Sequence, residues 1–247
     1  MFAAFAVLFY RSLRYRRYLV GYKRGKYNFT DILSLNKMGW MVGLQMGLET
    51  ALFSITGIMI GWLGSIALAA HQVMVAISTL GFMIYYGVGA AVSVRVSNYF
   101  GRQELLHVRR TTMAGFHLIL CLAVCACTVF LFSRELIGYL FTTSEEVIRV
   151  VSTLVYILLA YQFGDALQIT YANSLRGIGD VISMAVISFI GYFLIAMPVC
   201  YICGFVLEWG ITGIWIGYPI GLTLTGVMLC GRYYWKLKTK TQSKEFY

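Results

Sequence analysis

Two acidic residues lie inside apolar stretches that are long enough to cross a membrane. Glu49 falls within Met38–Trp62 and Asp165 within Val147–Ile169, whereas the other eight Asp and Glu residues lie between such stretches. A charged side chain at the centre of a bilayer costs roughly 3 kcal/mol on insertion scales, so intramembrane acids usually serve ions, protons or substrates. The sequence therefore predicts that Glu49 and Asp165 bind a proton or a monovalent cation such as Na⁺.

Each acid has polar companions at helical spacing. Tyr161 precedes Asp165 by four residues and Gln168 follows it by three, while Gln45 precedes Glu49 by four, so each set shares one helix face. We predict that Glu49 and Asp165 hold a proton or a monovalent cation, that Tyr161 is a candidate third member of this site, and that Gln45 and Gln168 are candidate polar groups beside it. The alternative is that the acids are neutral and clamp neighbouring helices by hydrogen bonds.

The remaining polar residues indicate no further chemistry. No Lys or Arg lies deep in a predicted span, and we interpret Arg176 as an anchor at the inner face. The sequence contains no Walker motif, no nucleophile elbow and no metal-binding His or Cys spacing, which predicts no enzyme activity and no cofactor apart from Na⁺ or H⁺. The six cysteines lie in apolar runs and are interpreted as small apolar residues.

The composition requires a membrane protein. Of the 247 residues 60% are hydrophobic and only 12% are charged, whereas soluble domains have about 25% charged residues. We predict an all-α integral membrane protein, a bundle of six transmembrane helices joined by short loops. The predicted spans are Met38–Trp62, Ala67–Val96, Thr111–Phe132, Val147–Ile169, Val181–Phe205 and Ile211–Trp235.

The net charge of +10 follows from membrane topology. Eighteen of the 20 Lys and Arg residues lie in segments that this span assignment places on one side, which identifies that side as cytoplasmic and gives no reason to expect nucleic-acid binding. The predicted division is residues 1–10 as the end of a truncated transmembrane helix, 11–37 as a basic cytoplasmic connector, 38–235 as the bundle, and 236–247 as a basic cytoplasmic tail.

Several segments in a fixed order resemble a known transporter family. They are GLQMGLETALFSITGIMIGWLG, IALAAHQV, GAAVSVRVSNYFGR, YQFGDALQITYANSLRGIGD and GRYYWKLK. Together they resemble the C-terminal lobe of the multidrug and toxic compound extrusion (MATE) family in its NorM-like bacterial branch, and the resemblance extends over roughly residues 38–238.

The resemblance implies one six-helix lobe of a twelve-helix transporter in the bacterial inner membrane. Such a transporter exports cationic or amphipathic aromatic compounds in exchange for Na⁺ or H⁺, and Glu49, Asp165 and Tyr161 match positions implicated in cation binding. The resemblance also implies that an N-terminal lobe is missing and would be a partner, together with drugs and membrane lipids.

Two other functions remain open from the sequence. The chain could be a non-transporting fragment, or a subunit that requires a separate N-terminal lobe. It could also belong to the lipid-linked saccharide flippases of the wider superfamily, although these would need a cavity rich in Arg and Lys to bind pyrophosphate, and the predicted spans contain acids instead.

Overall fold

The computed structural model describes residues 28–245, with side-chain surroundings as far as Thr241. The predicted truncated helix at residues 1–10 and most of the predicted connector at 11–37 lie outside this range. The helices are α1 (Phe29–Gly61), α2 (Ser65–Gly101), α3 (Leu105–Phe132), α4 (Arg134–Phe141), α5 (Glu145–Gly177), α6 (Val181–Phe189), α7 (Met197–Tyr201) and α8 (Gly210–Glu245). The π-helical segments Ile190–Ala196 and Ile202–Val206 flank α7, which makes 181–206 one continuous span.

Within residues 28–245 six stretches are long and apolar enough to cross a membrane, and no strand is present. They are Phe29–Gly61, Ser65–Gly101, Leu105–Phe132, Glu145–Gly177, Val181–Val206 and Gly210–Thr241. The predicted all-α bundle of six spans is therefore confirmed. Its helices are longer than the predicted spans, since α5 continues past Ile169 to Gly177. Hydropathy marks only the part of a helix in hydrocarbon, whereas backbone hydrogen bonding continues into the headgroup zone.

The contacts divide the chain after Trp40, and the unit from Met41 onward contains the rest of α1 and all later helices. Helix α5 is central to this unit, because it packs against α2, α3, α4 and α8. One apolar core includes Leu154, Leu158 and Trp215, and another includes Tyr171 and Tyr233. Asp165 lies on α5 between the residues that contribute to these two cores.

Glycines let α8 approach the preceding span closely. A Cβ atom at Gly217 would meet the side chain of Cys200 and lie 3.0 Å from its backbone nitrogen, and one at Gly221 would meet Ala196. Helices in membranes are held largely by such close van der Waals packing, which small residues allow. The contact fixes the π-helical segment Ile190–Ala196 against α8.

A partly buried ion pair joins the loop between α5 and α6 to the last part of α8. Arg232 donates to Asp180 Oδ2 at 2.8 Å, Ser183 donates to Asp180 Oδ1 at 2.8 Å, and Lys236 lies 4.0 Å from Oδ2. Burial alone would raise the pKa of the Asp180 carboxyl, but these hydrogen bonds and the nearby positive charges hold it below its ordinary value.

Candidate functional site

Glu49 is held by side chains from its own helix and from a neighbouring span. Gln45 Nε2 donates to Glu49 Oε2 at 3.2 Å, which is the predicted i, i+4 contact on α1. The Tyr192 hydroxyl donates to the same oxygen at 3.4 Å, and Gln168 Nε2 donates to that hydroxyl at 2.7 Å. A chain of hydrogen bonds therefore connects α1 to α5 through Tyr192, which lies on the first π-helical segment.

Arg176, interpreted from the sequence as an anchor at the inner face, also extends this chain of hydrogen bonds. Its NH2 group donates to Gln45 Oε1 at 3.4 Å, and its NH1 group donates to the Tyr86 hydroxyl at 3.3 Å and to Asn173 Oδ1 at 3.2 Å. Because α5 remains helical as far as Gly177, the long side chain of Arg176 can reach Gln45. Glu49 therefore has a cationic group close by, connected to it through one amide.

Asp165 has no comparable hydrogen bonds from the side chains that the structure describes. Its side chain is fully buried, and neither carboxylate oxygen has a hydrogen-bond partner among the residues that the structure describes. Buried polar groups in native proteins are almost always hydrogen-bonded, so an orphan carboxylate calls for a proton, an ion or an ordered water. Tyr161, one turn earlier, is also buried and packs edge-on against Phe53 with ring centroids 6.5 Å apart.

Two further side chains near Asp165 have unpaired polar atoms. The Tyr85 hydroxyl and both polar atoms of the Gln162 amide are buried and have no partner within the described range. Tyr85, on α2, packs with Ala166 of α5, and Gln162 faces Gly81 of α2. The α2–α5 interface thus contains several buried polar groups that have no hydrogen-bond partner among the described residues. The residue spacing could have identified Gln162, since it precedes Asp165 by three positions, but Tyr85 gave no sequence signal.

Two cavities are lined by four of the five predicted site residues, all except Asp165. A cavity of about 250 Å³ has Glu49 and Tyr161 in its wall. Its other lining residues are Met46, Thr50, Phe53, Val75, Ser78, Thr79, Phe82 and Met83. A cavity of about 10 Å³ is lined in part by Gln45, Glu49, Gln168 and Arg176. Glu49 borders both cavities, whereas Asp165 borders neither and lies one turn beyond Tyr161.

A bundle of six spans with a buried, unpaired carboxylate is typical of ion-coupled membrane transporters. The sequence profile of the MatE family matches residues 42–202 of this chain. The chain therefore belongs to the MATE family, as its sequence segments indicated.

Curated relatives place it near the NorM proteins of bacteria. "Multidrug resistance protein NorM" of Photobacterium profundum is 34% identical over 220 residues, which are 87% of this chain and 47% of the relative. NorM of Vibrio cholerae is 32% identical over 214 residues, covering 84% of this chain and 47% of that protein. The chain thus spans about half the length of the curated relatives it matches.

Solved structures have the same fold. The eukaryotic MATE transporter AtDTX14 superposes with a TM-score of 0.79 at 20% identity, over 89% of this chain and 51% of that one. A MATE structure in complex with MaL6 gives a TM-score of 0.81 at 14% identity, over 88% and 49%. At these identities the likeness establishes the helical arrangement and no more.

Proposed function

We propose that this chain is the C-terminal lobe of an efflux antiporter that exchanges Na⁺ or H⁺ for cationic or amphipathic aromatic compounds. The two curated relatives above are named as multidrug resistance proteins, and this chain matches about half of each. The remaining half of the transporter would be a second six-helix lobe, which would form the opposite wall of the substrate cavity. The lobe would lie in the bacterial inner membrane with its C-terminus in the cytoplasm.

The observation that carries the proposal is Asp165. A fully buried carboxylate without hydrogen-bond partners is unfavourable unless a proton or a cation occupies it. Tyr161 on the same helix face is suited to complete the site with its hydroxyl oxygen. Glu49 would act as the second acid, since it is linked to α5 through Tyr192 and Gln168.

The lining of the larger cavity suits the proposed substrates. Phe53 and Phe82 provide aromatic faces that attract organic cations, and Met46 and Met83 adapt to ligands of different shape. Glu49 supplies a negative charge at the same wall. A volume of about 250 Å³ is smaller than the roughly 300–1,000 Å³ of ligand sites, which agrees with one lobe forming only part of the cavity.

Ion and drug would favour different packings of the helices. A ligand shifts a conformational equilibrium only by its difference in affinity for the two states. Occupation of Glu49 would change the hydrogen bonds that Tyr192 makes from a π-helical segment, and such segments are common at functional sites. The coupling ion would thereby change the packing of the span 181–206 against α1 and α5.

The test is ion binding by the purified chain in lipid nanodiscs. We expect Na⁺, or protons in a pH titration, to raise the melting temperature of the unmodified chain. Asp165→Asn should lower the ion affinity obtained from this titration about tenfold or more, because a charge-assisted ligand contributes roughly 1.5–3 kcal/mol. Glu145→Gln, an exposed acid at the other end of α5, is the matched control and should behave like the unmodified chain.

The same variants are then tested for transport. They would be produced in cells together with the N-terminal lobe of a NorM relative, and export of a fluorescent organic cation would be measured. We expect export with the unmodified lobe and none with Asp165→Asn at equal protein levels. Ion binding and export by Asp165→Asn at the unmodified level would overturn the assignment.

A further inference from the structure

A groove separate from the candidate ion site runs between the beginning of α3 and the end of α8. Its volume is about 570 Å³, larger than that of the cavity beside Glu49. Three leucines, Leu105, Leu106 and Leu237, form its apolar part. Its polar part includes Arg109, Lys238 and the ring of Tyr234, with the Arg109 guanidinium carbon 5.5 Å from the centre of that ring.

Among the residues whose side chains the structure describes, the cations of this groove have no acidic partner. Arg232 and Lys236, on the same helix as Lys238, are engaged by Asp180. In contrast, no ion pair among the described residues includes Arg109 or Lys238, and no carboxylate lines the groove. A cavity of about 350 Å³ at the opposite end of α8 is lined by both Glu146 and Arg149, so its charges balance. Of these two grooves, the first is lined by cations and by no carboxylate among the residues whose side chains are described.

The groove lies at the level expected for phospholipid headgroups. Helix α8 has 36 residues and is therefore about 54 Å long, whereas the hydrocarbon layer is about 30 Å thick. Lys238 lies in the last turns of α8, and Arg109 lies in the second turn of α3. Leu106 is 59% exposed and would face acyl chains. The groove therefore combines an apolar wall with two cations where a membrane changes from hydrocarbon to phosphate.

We propose that this groove binds the headgroup of an anionic glycerophospholipid, with its phosphate between Arg109 and Lys238. The guanidinium group can bind two phosphate oxygens in parallel, and the ammonium group supplies a second positive charge. The leucines hold the first methylene groups of the acyl chains. Basic pockets between helices at the cytoplasmic face of membrane proteins bind such headgroups by the same chemistry.

The experiment uses the full chain in a neutral detergent. Phosphatidylglycerol, phosphatidylcholine and inorganic phosphate are each titrated, bound lipids are counted by native mass spectrometry, and the melting temperature is recorded. We expect phosphatidylglycerol to bind at least tenfold more tightly than phosphatidylcholine and to raise the melting temperature, and inorganic phosphate at the same concentration to have no effect.

Substitutions test whether the lipid binds in this groove. The double variant Arg109→Gln with Lys238→Gln should lose the preference for phosphatidylglycerol, and Arg109→Lys with Lys238→Arg should keep most of it. Arg102→Gln with Arg110→Gln removes two charges near the same membrane face but outside the groove lining, and should keep the preference.

Three results would each overturn the proposal. The first is equal binding of the two lipids to the unmodified chain, a comparison that requires no variant to fold. The second is an equal loss in the control pair, which would indicate general surface charge. The third is stabilisation by inorganic phosphate alone, which would indicate a site for soluble anions.

Discussion

The two intramembrane acids have opposite surroundings, although their sequence contexts are similar. Glu49 accepts hydrogen bonds from Gln45 and Tyr192, while Asp165 accepts none within the described residues. A group whose hydrogen bonds are already made gains less from an incoming ion than a group whose bonds are unmade. At the scale of the residue, Asp165 is therefore the position where binding should change the free energy most.

Asp180 leads to a prediction about pH. Asp180→Asn should lower the stability of the chain at pH 7 by roughly 1–3 kcal/mol, between the values for exposed and fully buried ion pairs. Because the pKa of Asp180 is lowered by folding, its stabilising effect is fully present above the ordinary Asp pKa of about 3.9 and is lost as the pH falls through the lower folded value. Melting temperatures of both forms between pH 7 and pH 3 measure this.

The matched control for Asp180 is an exposed ion pair. Glu135 is 80% exposed and lies 3.6 Å from Arg134, so Glu135→Gln should change the melting temperature little at any pH. A constant difference between Asp180→Asn and the unmodified chain from pH 7 to pH 3 would contradict the prediction.

Residues on one helix face were predictable, and partners from other helices were not. The spacing of Gln45 and Glu49 predicted their contact, because an i, i+4 relation follows from helix geometry alone. Tyr192 reaches Glu49 from another span, and Arg176 reaches Gln45 from the last turn of α5. Both contacts depend on helix packing and helix length, which the spacing does not give. The roles of Glu49, Asp165 and Tyr161 as an ion site stay predictions.

At the scale of the element, the six spans follow from hydropathy, but their irregularities do not. The apolar run Val181–Phe205 predicted one helix, and the structure has π-helical segments on both sides of α7. Pro198 lacks a backbone N–H, so the helix around it has to rearrange its hydrogen bonds. The short helix α4 was also absent from the prediction, because eight residues are too few for a membrane span.

The glycine contact between α7 and α8 leads to a prediction at this scale. Gly217→Val should destabilise the bundle by roughly 1–3 kcal/mol, because the added atoms would meet Cys200, whose Cα would lie 3.1 Å from the new Cβ. Unfolding in a denaturing detergent, monitored by circular dichroism, measures the loss of stability.

Gly231→Val is the control for this substitution. Gly231 lies on the same helix, and nothing is within 4 Å of the Cβ that would be added, so only the small cost of a β-branched residue in a helix is expected. If both valine variants were equally stable, close approach at Gly217 would not be what holds the two spans together.

At the scale of the whole molecule, charge predicts orientation. Eighteen of the 20 Lys and Arg residues lie in segments on one side of the predicted spans. We therefore expect alkaline phosphatase fused after Tyr247 to be inactive and the same enzyme fused after Ser144 to be active, because this phosphatase works only outside the cytoplasm. Enzyme activity in cells measures both fusions.

A third fusion checks the consistency of this orientation. Phosphatase fused after Gln103, in the loop before α3, should be inactive like the fusion after Tyr247. Activity after Tyr247 together with inactivity after Ser144 would reverse the orientation that the positive-inside rule assigns.

The contact of Arg176 with Gln45 bears on how quickly an exchanger could work. A carrier that binds its ion too tightly becomes a trap, since each cycle ends only when the ion leaves. Arg176 places a permanent positive charge one amide away from Glu49. Within the proposed exchange this charge would weaken the binding of a cation at Glu49 and so speed its release.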